Sequence, residues 1–331
     1  MTPKKHAKYI GSGRLFKRAL IICAFLIVGL FPFSAHALDI LFGTGEAGTF
    51  SHFTGRTICR IMNRHSSDMN CKTVPATGDV HILTNLQDGA LDIGLIDSRM
   101  LYDAMDKTGY FEFLDIRYDN LRALVPLYDV PVTLVVRKDA KITSLDTLKG
   151  KRLNAGAPRS QQHLAVDTIM KVKNWSEKDF SLFGELPGSQ SQDTMAFCHG
   201  TIQAMVHIGV HPDSSLQQLF KLCKAGLVDM DDSDIEKLIM GHPAFIKISG
   251  ASDTYPSHPK GVTTFGTRVM LVASADLDEE TVYKIMDAIY SNQKNLMRAH
   301  PALSSLTVDA SQIRDIGIAL HPGAVKYLSD H

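Results

Sequence analysis

The chain lacks the frames that covalent chemistry usually needs. It contains no G-x-S-x-G elbow and no H-E-x-x-H helix, so the common settings for a serine nucleophile or a zinc-bound water are missing. No two of its 5 cysteines stand in C-x-x-C spacing, which argues against a structural zinc site. The histidines show no metal-ligand spacing either, so neither metal nor cofactor is expected. Past Phe33 no apolar stretch reaches the length of a membrane span, and no Lys/Arg cluster or low-complexity tract marks a membrane-surface element or tail. An excess of positive charge is lacking too, with 35 Lys and Arg against 35 Asp and Glu, which disfavours nucleic acid as a partner.

What is present begins with a leader. Lys4, Lys5, Lys8, Arg14, Lys17 and Arg18 precede an apolar run from Ala19 to Phe33, and small residues follow at Ala35 and Ala37. This is the layout of a signal peptide, residues 1–37, with a cut after Ala37 and a periplasmic destination. The run is about 15 residues, short of the roughly 20 needed to span a bilayer. Removing 37 residues from 331 leaves 294, room for two lobes, and takes away six basic residues and no acidic one, leaving 29 against 35. The mature chain retains Cys59, Cys71, Cys198 and Cys223. An even count in an oxidising compartment favours disulfides, and the grouping, two early and two late, suggests Cys59–Cys71 and Cys198–Cys223. Buried free thiols are the alternative.

Asp39–Phe42 reads as a short buried strand, followed by the glycine loop Gly43–Gly48 and a helical stretch to about Asn63. Lys72–Pro75 reads as a second strand, Val80–Leu86 as a helix and Leu91–Ile96 as a third strand. Such βαβαβ alternation predicts a parallel sheet with helices on both faces. A second round starts at Val132–Val136, passes a helix near Ser144–Leu148, a strand at Arg152–Ala155 and a helix over about His163–Lys171, and reaches a strand at Ile202–His207 after a helix holding Cys198. Val269–Val272 restarts a strand, and Glu279–Leu296 has helical periodicity. Two α/β lobes of this kind put their strand-to-helix loops around a shared crevice. Unpaired N–H groups at the helix starts suit that crevice to a polar or anionic ligand.

Gly43-x-Gly45-x-x-Gly48, with Asp68 twenty residues on, spells a dinucleotide fingerprint. Asp68 falls in a polar loop rather than at a strand end, so a plain tight turn into a ligand-facing helix is the better reading. His52, His81, His163 and His207 fall near the expected crevice, although a single histidine is as readily a core or helix-surface residue.

Several segments together resemble the TAXI family, the TRAP-associated extracytoplasmic immunogenic solute receptors. They are Gly43-Thr-Gly45 leading to Thr54–Arg60, Leu91–Gly94, Leu148–Arg152, Phe197–Gly200, His211-Pro212 and the terminal Leu320–Tyr327 with its His-Pro-Gly-Ala-x-x-Tyr, in family order over nearly the whole mature chain. The resemblance implies an α/β, type II periplasmic binding protein fold. Lobe I is expected over 38–130 plus 266–331 and lobe II over 131–265, joined by a hinge. It implies a receptor that does no chemistry, works as a monomer, and delivers an organic acid to a TRAP-type permease of the cytoplasmic membrane; a sensor subunit serving a signalling protein uses the same cleft. An enzyme is a third reading, against which the missing nucleophile–base motif argues. The ligand-binding set expected from the loops is Thr49, Ser51, His52, Thr77, Gly78, Asp79, Arg159, Ser160, Gln161, Gln162 and His207, with Arg159 gripping a small anion. This sequence departs from its relatives there. Ser51-His52 stands where a Tyr-Tyr pair is common, Thr77-Gly78-Asp79 shortens a Thr-Gly-Gly-Ser loop, and Arg159-Ser160-Gln161 replaces Gly-Ser-Gly, filling the site with side chains where relatives let the backbone approach.

Overall fold

The computed structural model describes residues 37–186, 190–250, 255, 261–306 and 317–331. All of the expected leader but Ala37 lies outside them. The first elements are β1 (Leu38–Thr44), α1 (Phe50–His65), β2 (Met69–Pro75), α2 (Asp79–Gln87), β3 (Ile93–Asp97) and α3 (Ser98–Asp106). β1 runs parallel to both β2 and β3. Ile40 and Phe42 of β1 are fully buried beneath Ile58 and Met62 of α1, and burying side chains of this size stabilises the fold by about 1.5–3 kcal/mol each. Thr49 starts α1, its hydroxyl accepting the His52 N–H at 3.3 Å.

A 17-residue strand, β4 (Leu121–Arg137), then carries the chain into a second sheet region. There follow β5 (Arg152–Asn154), α4 (Gln161–Lys173), β6 (Leu182–Gly184), α5 (Gln190–Cys198), β7 (Ala204–Ile208), α6 (Ser214–Leu222), β8 (Ala225–Val228), α7 (Ser233–Gly241) and β9 (Ile246–Gly250). β10 (Val262–Ser274) returns to the first region, and α8 (Glu279–Ser291), α9 (Gln293–Ala299) and α10 (Pro322–Asp330) cover it. The result is two α/β lobes. Each has its own buried group: Ile40, Phe42, Leu271 and Ile285 in one, Leu134, Leu153, Val166 and Phe265 in the other.

Strand order is β2-β1-β3-β10-β4-β7-β5-β6, with β8 also on β4 and β9 on β10. The sheet is mixed, not parallel as expected. β1–β3 and β5–β7 form parallel sets, but β10 is antiparallel to β3 and β4, and β4 is antiparallel to β7 and β8. The reason is that the two long strands each serve both regions: β4 pairs with β10 up to Pro131 and with β7 from Val132 onward, and β10 leaves β9 for β4 at Gly266. The helix expected near Ser144–Leu148 is a single 3₁₀ turn, Asp146–Leu148. Cys59 of α1 is joined to Cys71 of β2, and Cys198 at the end of α5 to Cys223 just past α6, with Cα–Cα 5.0 Å in each case.

Candidate functional site

The β4 and β10 crossing forms part of the wall of a hollow of about 380 Å³. Val130 and Val132 of β4 and Phe265 and Thr267 of β10 line it together with Asp97 and Arg99 from the β3-to-α3 junction, Tyr110, and Arg159, Gln161 and Leu164 at the start of α4. Gln161 and Ile208 also border a second hollow of about 470 Å³, walled by Ser160, Gln162, Asp193, His207 and Ser215. The lobes touch across the first. Tyr110 donates its hydroxyl to the Arg159 carbonyl at 3.0 Å, and Ser98 donates to the Ala244 carbonyl at 2.8 Å.

α4 begins where it does because the Ser160 hydroxyl accepts the His163 N–H at 3.1 Å. Just before it, Arg159 is exposed and takes a left-handed backbone, φ 67°. Its guanidinium has no hydrogen bond or ion pair among the described residues. Arg99 is spent differently: its Nε donates to both carboxylate oxygens of Asp103, at 3.2 and 3.0 Å, and its guanidinium stands 5.4 Å from the centre of the Phe245 ring.

Asp97 ends β3 and Asp79 starts α2, and both residues are half-buried. Asp97 accepts the Thr267 hydroxyl at 2.5 Å and the Arg99 N–H at 2.9 Å, yet burial holds its carboxyl above the usual range. Asp79 accepts the Asp97 N–H at 3.0 Å, and burial together with the neighbouring Asp97 charge pushes its carboxyl up to about 7. Burial also raises the Tyr128 phenol, which is hydrogen-bonded to Ser51. In the second hollow, the His207 Nε2 is buried without a hydrogen-bond partner among the described residues, with Asp213 Oδ2 at 3.9 Å. Burial lowers the His207 pKa, so the neutral ring presents one donor or acceptor to whatever enters. Among the described residues no group of three or more His, Cys, Asp or Glu is placed to hold a metal.

The expected ligand-binding set is thus divided. Arg159 and Gln161 face the interlobe hollow, and Ser160, Gln161, Gln162 and His207 the one beside it. Ser51 turns inward, accepting the Gly45 N–H at 3.0 Å. Thr49 and His52 line neither hollow but a third on the outer side of α1, and His52 is tied through Nδ1 to the Thr44 hydroxyl at 2.9 Å. Thr77 is exposed, and Gly78 starts α2 at φ 149°.

Residues 42–331 match the NMT1-like family. The chain belongs to that family. Its fold recurs in solved structures. A TctC solute binding protein from Polaromonas, without ligand, is 14% identical, with 89% of this chain and 99% of that one covered and a TM-score of 0.55. XAC2383 from Xanthomonas citri bound to chloride ion is 13% identical, with 88% and 99% covered and a TM-score of 0.51. At these identities the likeness is one of fold, the two α/β lobes of a periplasmic binding protein.

Within this NMT1-like protein, sequence reasoning passed over Asp97, Arg99, Tyr110 and the apolar lining Val130, Val132 and Phe265. One signal was available: Asp97 closes the strand read at Leu91–Ile96, in the same strand-to-helix position as Thr49 and Ser160.

Proposed function

We propose that this NMT1-like protein is an exported solute receptor that captures a small organic anion between its lobes and passes it to a TRAP-type permease in the cytoplasmic membrane. In this reading the lobes are 38–130 plus 266–331 and 131–265, a division supported by the changes of sheet that β4 and β10 make at Pro131–Val132 and at Gly266. One observation carries the reading: an interlobe hollow with a partly apolar wall has at its edge a guanidinium, that of Arg159, with no partner among the described residues. An arginine fork can hold a carboxylate or phosphate through two parallel hydrogen bonds. Closure of the lobes around such a ligand is a hinge motion, driven by contacts that exist only in the closed form. The TAXI resemblance supports the TRAP partner, and the description of the Polaromonas protein as a solute binding protein supports the role.

Identification of small molecules that co-purify with the native protein tests the proposal, followed by calorimetry against organic acids, amino acids, phosphorylated metabolites and cationic amines. Micromolar or tighter binding of an anion is expected. A clear preference for neutral or cationic compounds would remove Arg159 from the site.

A further inference from the structure

The outer face of α1 is an arginine ridge that the solute site does not use. Arg56, Arg60 and Arg64 stand on successive turns, all exposed, and none has an ion pair or hydrogen bond among the described residues. α1 contains no Asp or Glu at all. Neighbouring carboxylates are engaged by residues other than these arginines: Asp287 takes His65, the last residue of α1, at 2.8 Å, Asp68 takes Lys284 at 3.4 Å, and Asp39 takes Lys72 at 2.9 Å. Like charges four residues apart oppose helix formation, so the row is retained at a small cost to stability in a chain with no excess of positive charge overall. Its regular spacing kept it from reading as a Lys/Arg cluster in the sequence.

We propose that this ridge is a docking surface for an anionic phospholipid bilayer. The helix lies on the sheet through its opposite face, Ile58, Cys59 and Met62, so it presents its length outward like a rod. Helix geometry places Arg56 and Arg64 roughly 12 Å apart along the axis and roughly 80° apart around it. Long side chains over that arc reach one flat plane together. Arginine is the side chain whose planar fork matches phosphate oxygens. Hollows of about 350, 440 and 460 Å³ flank the ridge, and Arg60 borders each one. Phe53, 42% exposed, lies one turn before Arg56, and an aromatic ring beside basic residues suits the boundary of headgroups and acyl chains. A flat field of phosphates fits such a row better than a protein partner, which would need carboxylates placed to match each fork. Held this way, the receptor would search for its permease in two dimensions.

Flotation of the exported protein with phosphatidylglycerol-containing vesicles tests the assignment, against pure phosphatidylcholine vesicles and at low and high salt. We expect salt-sensitive binding to the anionic vesicles only. Arg56→Gln, Arg60→Gln and Arg64→Gln together should lower the partition coefficient on the order of a hundredfold, with solute affinity and thermal midpoint retained. The three lysine replacements should keep most of the binding. An apolar N-terminus carried by wild type and variants alike cancels in the comparison. Equal binding by wild type and the glutamine variant would overturn the proposal. So would the absence of vesicle binding at low salt, or an arginine-dependent capture of an acidic protein without any affinity for anionic vesicles.

Discussion

Gly266 and Val130 cross with no room between them for a methyl group. A Cβ on Gly266 would stand 2.3 Å from the Val130 carbonyl oxygen and 2.9 Å from the Cα of Pro131. Both are main-chain atoms, which cannot swing aside as the tip of a long side chain does. The crossing is also where β10 leaves β9 for β4. Gly266→Ala must therefore spread the two strands that join the lobes, and it should destabilise the protein by about 1–3 kcal/mol in urea unfolding. Wild-type stability in this variant would mean that the strands part freely.

Arg159 combines a charge and a strained backbone that can be separated. Because the side chain is exposed, its attraction for a ligand anion is screened, and Arg159→Ala should weaken binding by about 1–2 kcal/mol in calorimetry. Arg159→Gly should lose the same affinity. It should also gain roughly 0.5–1 kcal/mol in stability, since glycine adopts φ 67° without steric cost. Equal affinity for all three proteins would place the guanidinium outside the ligand's reach.

Lys173 ties the end of α4 to the start of α7. Its side chain is 7% exposed, and its Nζ donates to Asp146, Asp232 and Asp234 at 2.7, 3.0 and 3.1 Å. Burial works against the charge, but the three carboxylates together hold the ammonium above the usual lysine range. Lys173→Met leaves Asp232 and Asp234 without that counter-ion and should cost about 2–3 kcal/mol near neutral pH. In wild type, Lys237 first and then Lys173 lower the Asp234 pKa. That contribution is present above the unfolded carboxylate pKa and is lost as pH falls through the folded one. Stabilities of the two proteins should converge in acid, and a deficit that stays constant down to the carboxylate range would contradict this account.

The lobes were legible where a strand reads as a short, mostly apolar run between polar or glycine-rich stretches, as at Asp39–Phe42 and Val132–Val136. The first part of β4 was hidden by Pro126, Asp129 and Pro131. In the structure Pro126 pairs with Met270 beside a register shift, and Pro131 sits at the change of sheets, places where a missing N–H is tolerated. The loop holding Ser160 and the helix after it, read from about His163, could be placed because turn and helix signals are local; the structure starts that helix at Gln161, with Ser160 as its cap. The apolar wall could not, because Val130, Val132 and Phe265 meet only when two strands more than a hundred residues apart cross.

Asp79 and Asp97 make stability depend on pH. The Asp97 N–H bond favours a charged Asp79, but burial first and the Asp97 carboxylate second outweigh it and raise the Asp79 carboxyl from 3.8 to about 7. The folded protein therefore binds this proton more tightly than the unfolded chain. Its contribution is fully present below the unfolded pKa of 3.8 and is lost as pH rises through the folded value of about 7. Asp79→Asn keeps an oxygen for the Asp97 N–H and removes the charge. Above pH 7 the variant should be more stable than wild type by on the order of 2–4 kcal/mol, and the difference should close toward pH 4. Urea midpoints of the ligand-free proteins across that range provide the check. Parallel curves, or a wild type that is more stable at high pH, would mean that Asp79 is held as a paired carboxylate. The same proton bears on the ligand. An anion entering beside these acids should retain it and raise that pKa further, so affinity should increase as pH falls toward about 7 and level off below it, whereas a cationic solute would reverse the slope.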